Sequence, residues 1–308
     1  MQYDIPILFV IFRRKDVTMR TFAAIKAAQP AKLYIACDGA RETVSGEQEL
    51  VEATRQAVEN AIDWPCEVQR RYQDHNQGCA KAVSSAISWM FETEEMGIIL
   101  EDDCVAKPSF FKFVREMLHR YKDDQRIGMV AGTNLVSSKV TMPDSYCFSK
   151  YKACWGWATW KRAWSNMQLD MPWRDSDYYQ SVIANNGFRA KDKNYWKYRL
   201  HLIDANYVSS WDWPWYFCLA AQNQLCIFPS KDLIVNIGFD AEATHTSFFN
   251  LPKYKDEGEL SFPLRHPQYI VPYDPFDKAF YKANNNLYMR LSSCIPLWLK
   301  KKLKKMLK

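Results

Sequence analysis

Residues 97–114 read GIILEDDCVAKPSFFKFV. Gly97 to Leu100 is a short continuous apolar run, suited to a strand buried on both faces. Three carboxylates follow at once, Glu101, Asp102 and Asp103. Pro108 then marks the start of a helix, with Phe110, Val114, Met117, Leu118 and Tyr121 along one face. A buried strand that ends in acids and leads into an amphipathic helix is part of a βαβ pattern, which implies a parallel sheet covered by helices.

The same alternation extends outward. Ile5 to Phe12, Lys32 to Cys37, Glu67 to Tyr72 and Ile127 to Ala131 read as strands. Between them, Val17 to Ala28 reads as a helix. The sets Leu50, Thr54, Ala57, Val58, Ala61 and Ala80, Val83, Ile87, Met90, Phe91 recur at helical spacing. The fold class expected is α/β, a doubly wound, mainly parallel sheet flanked by helices. From Gly132 the chain is less regular and dense in Trp, Tyr, Asn and Pro. Helix is expected around Leu200 to Tyr207 and Tyr216 to Gln222, a strand over Leu233 to Phe239, and loop or extended chain from Pro252 to Asp277. The chain divides into a sheet half (1–131), an aromatic-rich half (132–250), a C-terminal extension (251–294) and a basic tail (295–308).

Charge separates the possible partners. The net charge is +6, from 41 basic and 35 acidic residues, but six of the lysines lie in Lys300 to Lys308. Without them the body is neutral, which excludes a basic nucleic-acid-binding surface as the organising feature. Nine cysteines lie scattered with no C-x-x-C pair, so free thiols in a reducing compartment are expected. No basic and apolar leader precedes the first strand, and no apolar run approaches the roughly 18 residues of a membrane span. A cytoplasmic protein is expected. G-x-G-x-x-G, G-x-x-x-x-G-K-[ST] and H-E-x-x-H are all absent, which argues against dinucleotide oxidoreductases, P-loop enzymes and zincins.

In an open parallel sheet, ligands bind beyond the carboxyl ends of the strands. The residues there are Arg13, Arg14 and Lys15 after the first strand, then Asp38, Gly39 and Arg41 after the second. Asp74, His75, Asn76, Gln77 and Gly78 follow the third, with Lys81 at the next helix start, and Glu101-Asp102-Asp103 follow the fourth. Three adjacent carboxylates repel one another, and a hard divalent cation such as Mn2+ or Mg2+ relieves that repulsion through oxygen ligands. The set suits an anionic ligand bridged to the protein by a metal. Asp212, flanked by Trp211 and Trp213 in SSWDWPWYF (209–217), is a candidate general base or a helix cap before Pro214.

PILFVIFRR (6–14), ACDGAR (36–41), NQGCAKAVSSAISWMF (76–91), GIILEDDCVAKPSFFKFV (97–114) and CWGWATWKRAW (154–164) occur in this order. Together they resemble bacterial relatives of N-acetylglucosaminyltransferase I, inverting glycosyltransferases of the GT-A fold. The resemblance spans roughly residues 5–250 and implies transfer of a hexose or N-acetylhexosamine from a UDP-sugar to a hydroxyl. By it, Arg14 contacts the donor diphosphate, Asp38 the uracil or ribose, and Lys81 and Asp102 the donor. Asp103 ligates the metal, Gly156 and Trp157 shape the acceptor pocket, and Asp212 is the base. His245, in FDAEATHTSFF (239–249), is a further metal or diphosphate contact, with Asp240 and Glu242 weaker alternatives. The relatives often read F-N-R-P after the first strand, where this chain has Phe12-Arg13-Arg14-Lys15.

In the tail, Ile295, Leu299, Leu303, Met306 and Leu307 share a helical face, Trp298 sits near the start, and lysines fill the rest. That pattern predicts an amphipathic helix lying on an anionic membrane surface. With the resemblance, it implies a peripheral enzyme at the inner face of the cytoplasmic membrane, acting on a glycolipid or cell-surface polysaccharide precursor. Two other classes use some of the same features. A sugar-1-phosphate nucleotidyltransferase shares the α/β core but ordinarily carries a Gly-rich loop where Arg13-Arg14-Lys15 stands. A non-catalytic carbohydrate-binding or membrane scaffold protein needs no such set of acids.

Overall fold

The computed structural model describes residues 2–187, 192–238, 258–285, 295–296 and 298–299. The sheet half runs β1 (Ile7–Ile11), α1 (Lys15–Ala28), β2 (Lys32–Cys37), α2 (Glu47–Ala61), β3 (Glu67–Tyr72), α3 (Cys79–Thr93), β4 (Met96–Glu101), β5 (Cys104–Ala106), α4 (Pro108–Arg120) and β6 (Ile127–Ala131). The second half adds β7 (Tyr146–Ser149), β8 (Trp157–Trp160), α5 (Lys161–Trp164), α6 (Tyr179–Asn185), α7 (Asp192–Asp204), α8 (Asp212–Ala221), β9 (Leu225–Pro229), β10 (Ile234–Asn236) and α9 (Asp274–Asn284).

Eight strands form one sheet in the order β3-β2-β1-β4-β8-β6-β9-β7. Pairings are parallel through β3, β2, β1 and β4, and again between β6 and β9. Strand β8 runs antiparallel between β4 and β6, and β7 runs antiparallel on the far edge. The sheet is thus α/β and mainly parallel, as expected, but its centre holds a strand from the second half. Residues 1–131 and 132–250 therefore share one sheet.

Burial follows the two-residue period of a strand. Ile7, Phe9, Ile11, Ile98 and Leu100 pack on one face with Phe22, Ile25, Phe110 and Val114 of the covering helices. Leu8 and Ile99 pack on the other with Ile87, Met90, Trp157, Trp215 and Phe217. Both faces are covered, which is why β1 and β4 read as continuous apolar runs.

Two expectations change. The strand expected over Leu233 to Phe239 is Ile234–Asn236, and it pairs with the short β5 outside the main sheet. Within the stretch expected as loop, residues 258–273 hold no helix or strand, but Asp274–Asn284 is helical, started by Pro275 in its first turn. Strands β5, β7, β8 and β9 have only three to five residues each, too short to show a period.

Candidate active site

The acidic turn is held from both sides. Arg14, at the N-terminus of α1, donates from Nη2 to Asp102 Oδ1 at 2.5 Å and Asp103 Oδ2 at 2.9 Å, and from Nε to Asp102 Oδ2 at 3.3 Å. Burial works against the Arg14 charge, but the two aspartates outweigh it and raise its pKa. Thr21 Oγ1, one turn along α1, donates to the Asp102 carbonyl at 2.8 Å. From the other side, Ile237 N–H donates to the Asp103 carbonyl at 2.9 Å. A Cβ on Gly238 would stand 2.0 Å from Asp103 Oδ2, so glycine is what lets that backbone lie against the carboxylate.

Asp212 opens α8, more than a hundred residues further on, and its charge acts on Glu101. Ser210 Oγ donates to its Oδ1 at 2.5 Å, and the Cys154 thiol lies 3.9 Å from its Oδ2. Ser210 Oγ also accepts Trp213 N–H at 3.3 Å, so the serine takes the cap's usual bond and Asp212 stands at the first helical position. Glu101 lies close enough to be perturbed by its neighbours. Burial first, then the charges of Asp103, Asp102 and Asp212, push its carboxyl well above the usual range, with Arg14 working the other way. Two thiols line this group. Burial, and after it the nearby carboxylates, push Cys79 and Cys154 up, so both stay protonated. Glu101 thus ends β4 with the charges of Asp102, Asp103 and Asp212 acting on it, and Arg14 bound to the first two.

No protein-family model matches the chain, and no curated protein matches it. Among solved structures, a mannosyltransferase from Pyrobaculum calidifontis in complex with GDP-Man and Mn2+ shares 12% identity over 72% of this chain and 70% of that one, with a TM-score of 0.40. An apo UDP-glucose pyrophosphorylase shares 10% identity over 72% of this chain and 90% of that one, with a TM-score of 0.33. A UDP-glucose pyrophosphorylase complexed with UDP-glucose shares 12% identity over 53% and 70%, with a TM-score of 0.28. Likenesses this distant assign no residue a role.

The geometry redirects three of the sequence-predicted residues. Asp38 was expected to contact uracil or ribose, but its carboxylate is already filled. Oδ1 accepts Gly39 N–H and Gln77 N–H, both at 2.9 Å, and Oδ2 accepts Gly78 N–H and Asn76 Nδ2, both at 3.0 Å. A carboxylate has about four lone-pair sites, so Asp38 ties the β2 and β3 loops together instead. Gly156 and Trp157, expected at the acceptor, are both buried. Gly156 (φ +53°) makes a turn with no room for a Cβ beside Ile234. Trp157 is 0% exposed in the central β8 and stacks on Trp211 with ring centroids 5.5 Å apart. Neither offers a surface to an acceptor.

Lys81 lies exposed in the first turn of α3. Arg13 sits 3.4 Å from the buried Glu47, which also binds Arg41. Asp240, Glu242 and His245 lie outside the described residues. Among those described, no group of three or more His, Cys, Asp or Glu forms a ready metal cage. Asp102 and Asp103 nevertheless point oxygens at a common Arg14 nitrogen. Two such carboxylates fit Mn2+ or Mg2+ held by one or two protein oxygens, with ligand phosphates and water completing the shell. Sequence reasoning missed Cys79, Cys154, Ser210 and Gly238. Only Ser210 left a signal, as a serine two residues before the helix start.

Proposed function

We propose that this protein is a glycosyltransferase moving a sugar from a UDP-sugar to an acceptor hydroxyl, with inversion as the resemblance implies. One observation carries the reading: Asp102 and Asp103 share Arg14 just past the carboxyl end of β4, and Glu101, the last residue of that strand, feels the charge of Asp212. Asp212 takes the proton from the acceptor hydroxyl as it attacks the anomeric carbon, with Ser210 fixing the carboxylate. Arg14 holds Asp102 and Asp103 in place and turns positive charge toward the donor diphosphate. A Mn2+ or Mg2+ ion held by Asp103, with Asp102 beside it, would neutralise charge on the departing nucleotide diphosphate. The acceptor is a glycolipid or polysaccharide precursor at a membrane. Support comes from the tail's lysines and from Trp298, 67% exposed.

The test is slow hydrolysis of a UDP-sugar panel, with and without Mn2+, by the wild type and Asp103→Ala. Metal-dependent release of UDP from one donor, lost in the variant, supports the reading. No hydrolysis of any donor, with pyrophosphate released from UTP and a sugar-1-phosphate, would replace it with the nucleotidyltransferase alternative.

A further inference from the structure

Helix α8 is buried from Pro214 to Ala220. At its N-terminal end it meets solvent only through Asp212 and Trp213. A molecule that reaches the Asp212 carboxylate along α8 therefore passes the Trp213 indole.

That indole is held in a fixed pose. The Arg199 guanidinium carbon lies 4.6 Å from the Trp213 ring centroid and 4.6 Å from that of Tyr195. Arg199 Nη2 also donates to Tyr195 OH at 2.9 Å. Arg199 is 5% exposed, so the cation is clamped between the two rings rather than reaching for solvent. A desolvated cation against an aromatic face is strongly attracted to it. Trp213 also packs against the core cluster that holds Trp157, Trp211 and Trp215, and it remains half-exposed. The Ser210 hydroxyl, bonded to both Asp212 Oδ1 and the Trp213 backbone N–H, fixes the carboxylate against the start of the helix that carries the ring. A fixed, half-exposed indole one residue from a proton acceptor suits a pyranose, which has an apolar C–H face and polar hydroxyl edges.

We propose that Trp213 is the platform for the acceptor, and that the acceptor is a glycoside whose terminal pyranose lies on the indole with one hydroxyl turned to Asp212. This rests on the transferase reading above. A bare lipid alcohol or a phosphate would gain nothing from the plane. Arg199 and Tyr195 act as positioning residues, since they touch Trp213 rather than the sugar.

The experiment is saturation-transfer NMR with no donor present. The probes are the methyl glycosides of glucose, galactose, mannose, N-acetylglucosamine and N-acetylgalactosamine. The proteins are the wild type, Trp213→Phe and Trp213→Leu, each checked for folding by its melting temperature. Leucine fills space but has no plane, which separates a platform from a packing residue. Expected is transfer from wild type to the ring C–H protons of at least one glycoside. Binding should be kept within about threefold by Phe and weakened about tenfold or more by Leu. No transfer to any glycoside from the wild type, or equal binding by Trp213→Leu, overturns the proposal. UDP-sugar hydrolysis by the wild type reads the transferase assignment separately. Hydrolysis without glycoside binding removes the platform alone. Glycoside binding that depends on the ring, without hydrolysis, removes the transferase reading and leaves a sugar subsite.

Discussion

Replacing Asp38 by Asn tests whether this carboxylate serves the loops or the donor. The two side chains have nearly the same shape. Whichever way the amide is turned, one edge meets two N–H donors at 2.9 or 3.0 Å with an NH2 group. Two hydrogen bonds to a charged acceptor, each contributing about 1.5–3 kcal/mol net, become donor–donor contacts. Asp38 is half-buried, so water recovers part of the loss, and a net cost of about 3 kcal/mol remains. At about 2 °C per kcal/mol for a chain of this size, the melting temperature should fall by about 6 °C. Asp38→Ala removes all four bonds and should fall further. Thermal unfolding followed by circular dichroism at pH 7 reads both. A melting temperature for Asp38→Asn within about 1 °C of wild type, with a raised donor KM, would refute the clamp and restore the donor contact.

Three more outcomes follow from the packing. Asp277 of α9 is 0% exposed, and burial pushes its carboxyl from 3.8 up to about 6. The folded state therefore holds an extra proton between about pH 4 and 6, and wild-type stability falls as pH rises through that window. Asp277→Asn lacks this slope, so urea titrations should show it gaining up to about 3 kcal/mol on wild type between pH 4 and 7; a difference independent of pH would contradict this. Gly156→Ala would set a Cβ at φ +53° and 2.3 Å from Ile234 Cδ1, so chemical denaturation should show a loss of about 2–4 kcal/mol. Gly238→Ala would drive a methyl into the Asp103 carboxylate; donor hydrolysis should fall at least about tenfold while the melting temperature moves by less than about 3 °C.

Much of the sheet half was legible because its strands alternate regularly with helices long enough to show a period. Lys32–Cys37, Glu67–Tyr72 and Ile127–Ala131 match the expected strands residue for residue. The second half was not, because Trp157–Trp160 is a four-residue strand whose tryptophans resemble binding residues. They are large because they fill the centre of the sheet, which only the tertiary pairing with β4 and β6 reveals. The acids were visible as types after a strand and before a helix. Their approach to one another depends on how α8 docks, and the saturation of Asp38 depends on the directions of three backbone N–H groups. Neither leaves a trace in one-dimensional spacing.

The placement of β8 also constrains how the chain can be made and cut. Strand β4 also pairs with β1, and β6 with β9, yet the edges that β4 and β6 turn toward each other are filled only by residues 157–160. Until then β4 and β6 face each other across a one-strand gap, each with an unpaired backbone edge open to other chains. During synthesis the centre of the sheet closes late, through pairings that join distant parts of the chain, which makes folding slow and exposed to aggregation. A fragment ending at Ala131 would carry that gap permanently, so residues 1–131 are not a separable module. Expression boundaries and split-protein designs have to fall after Trp160.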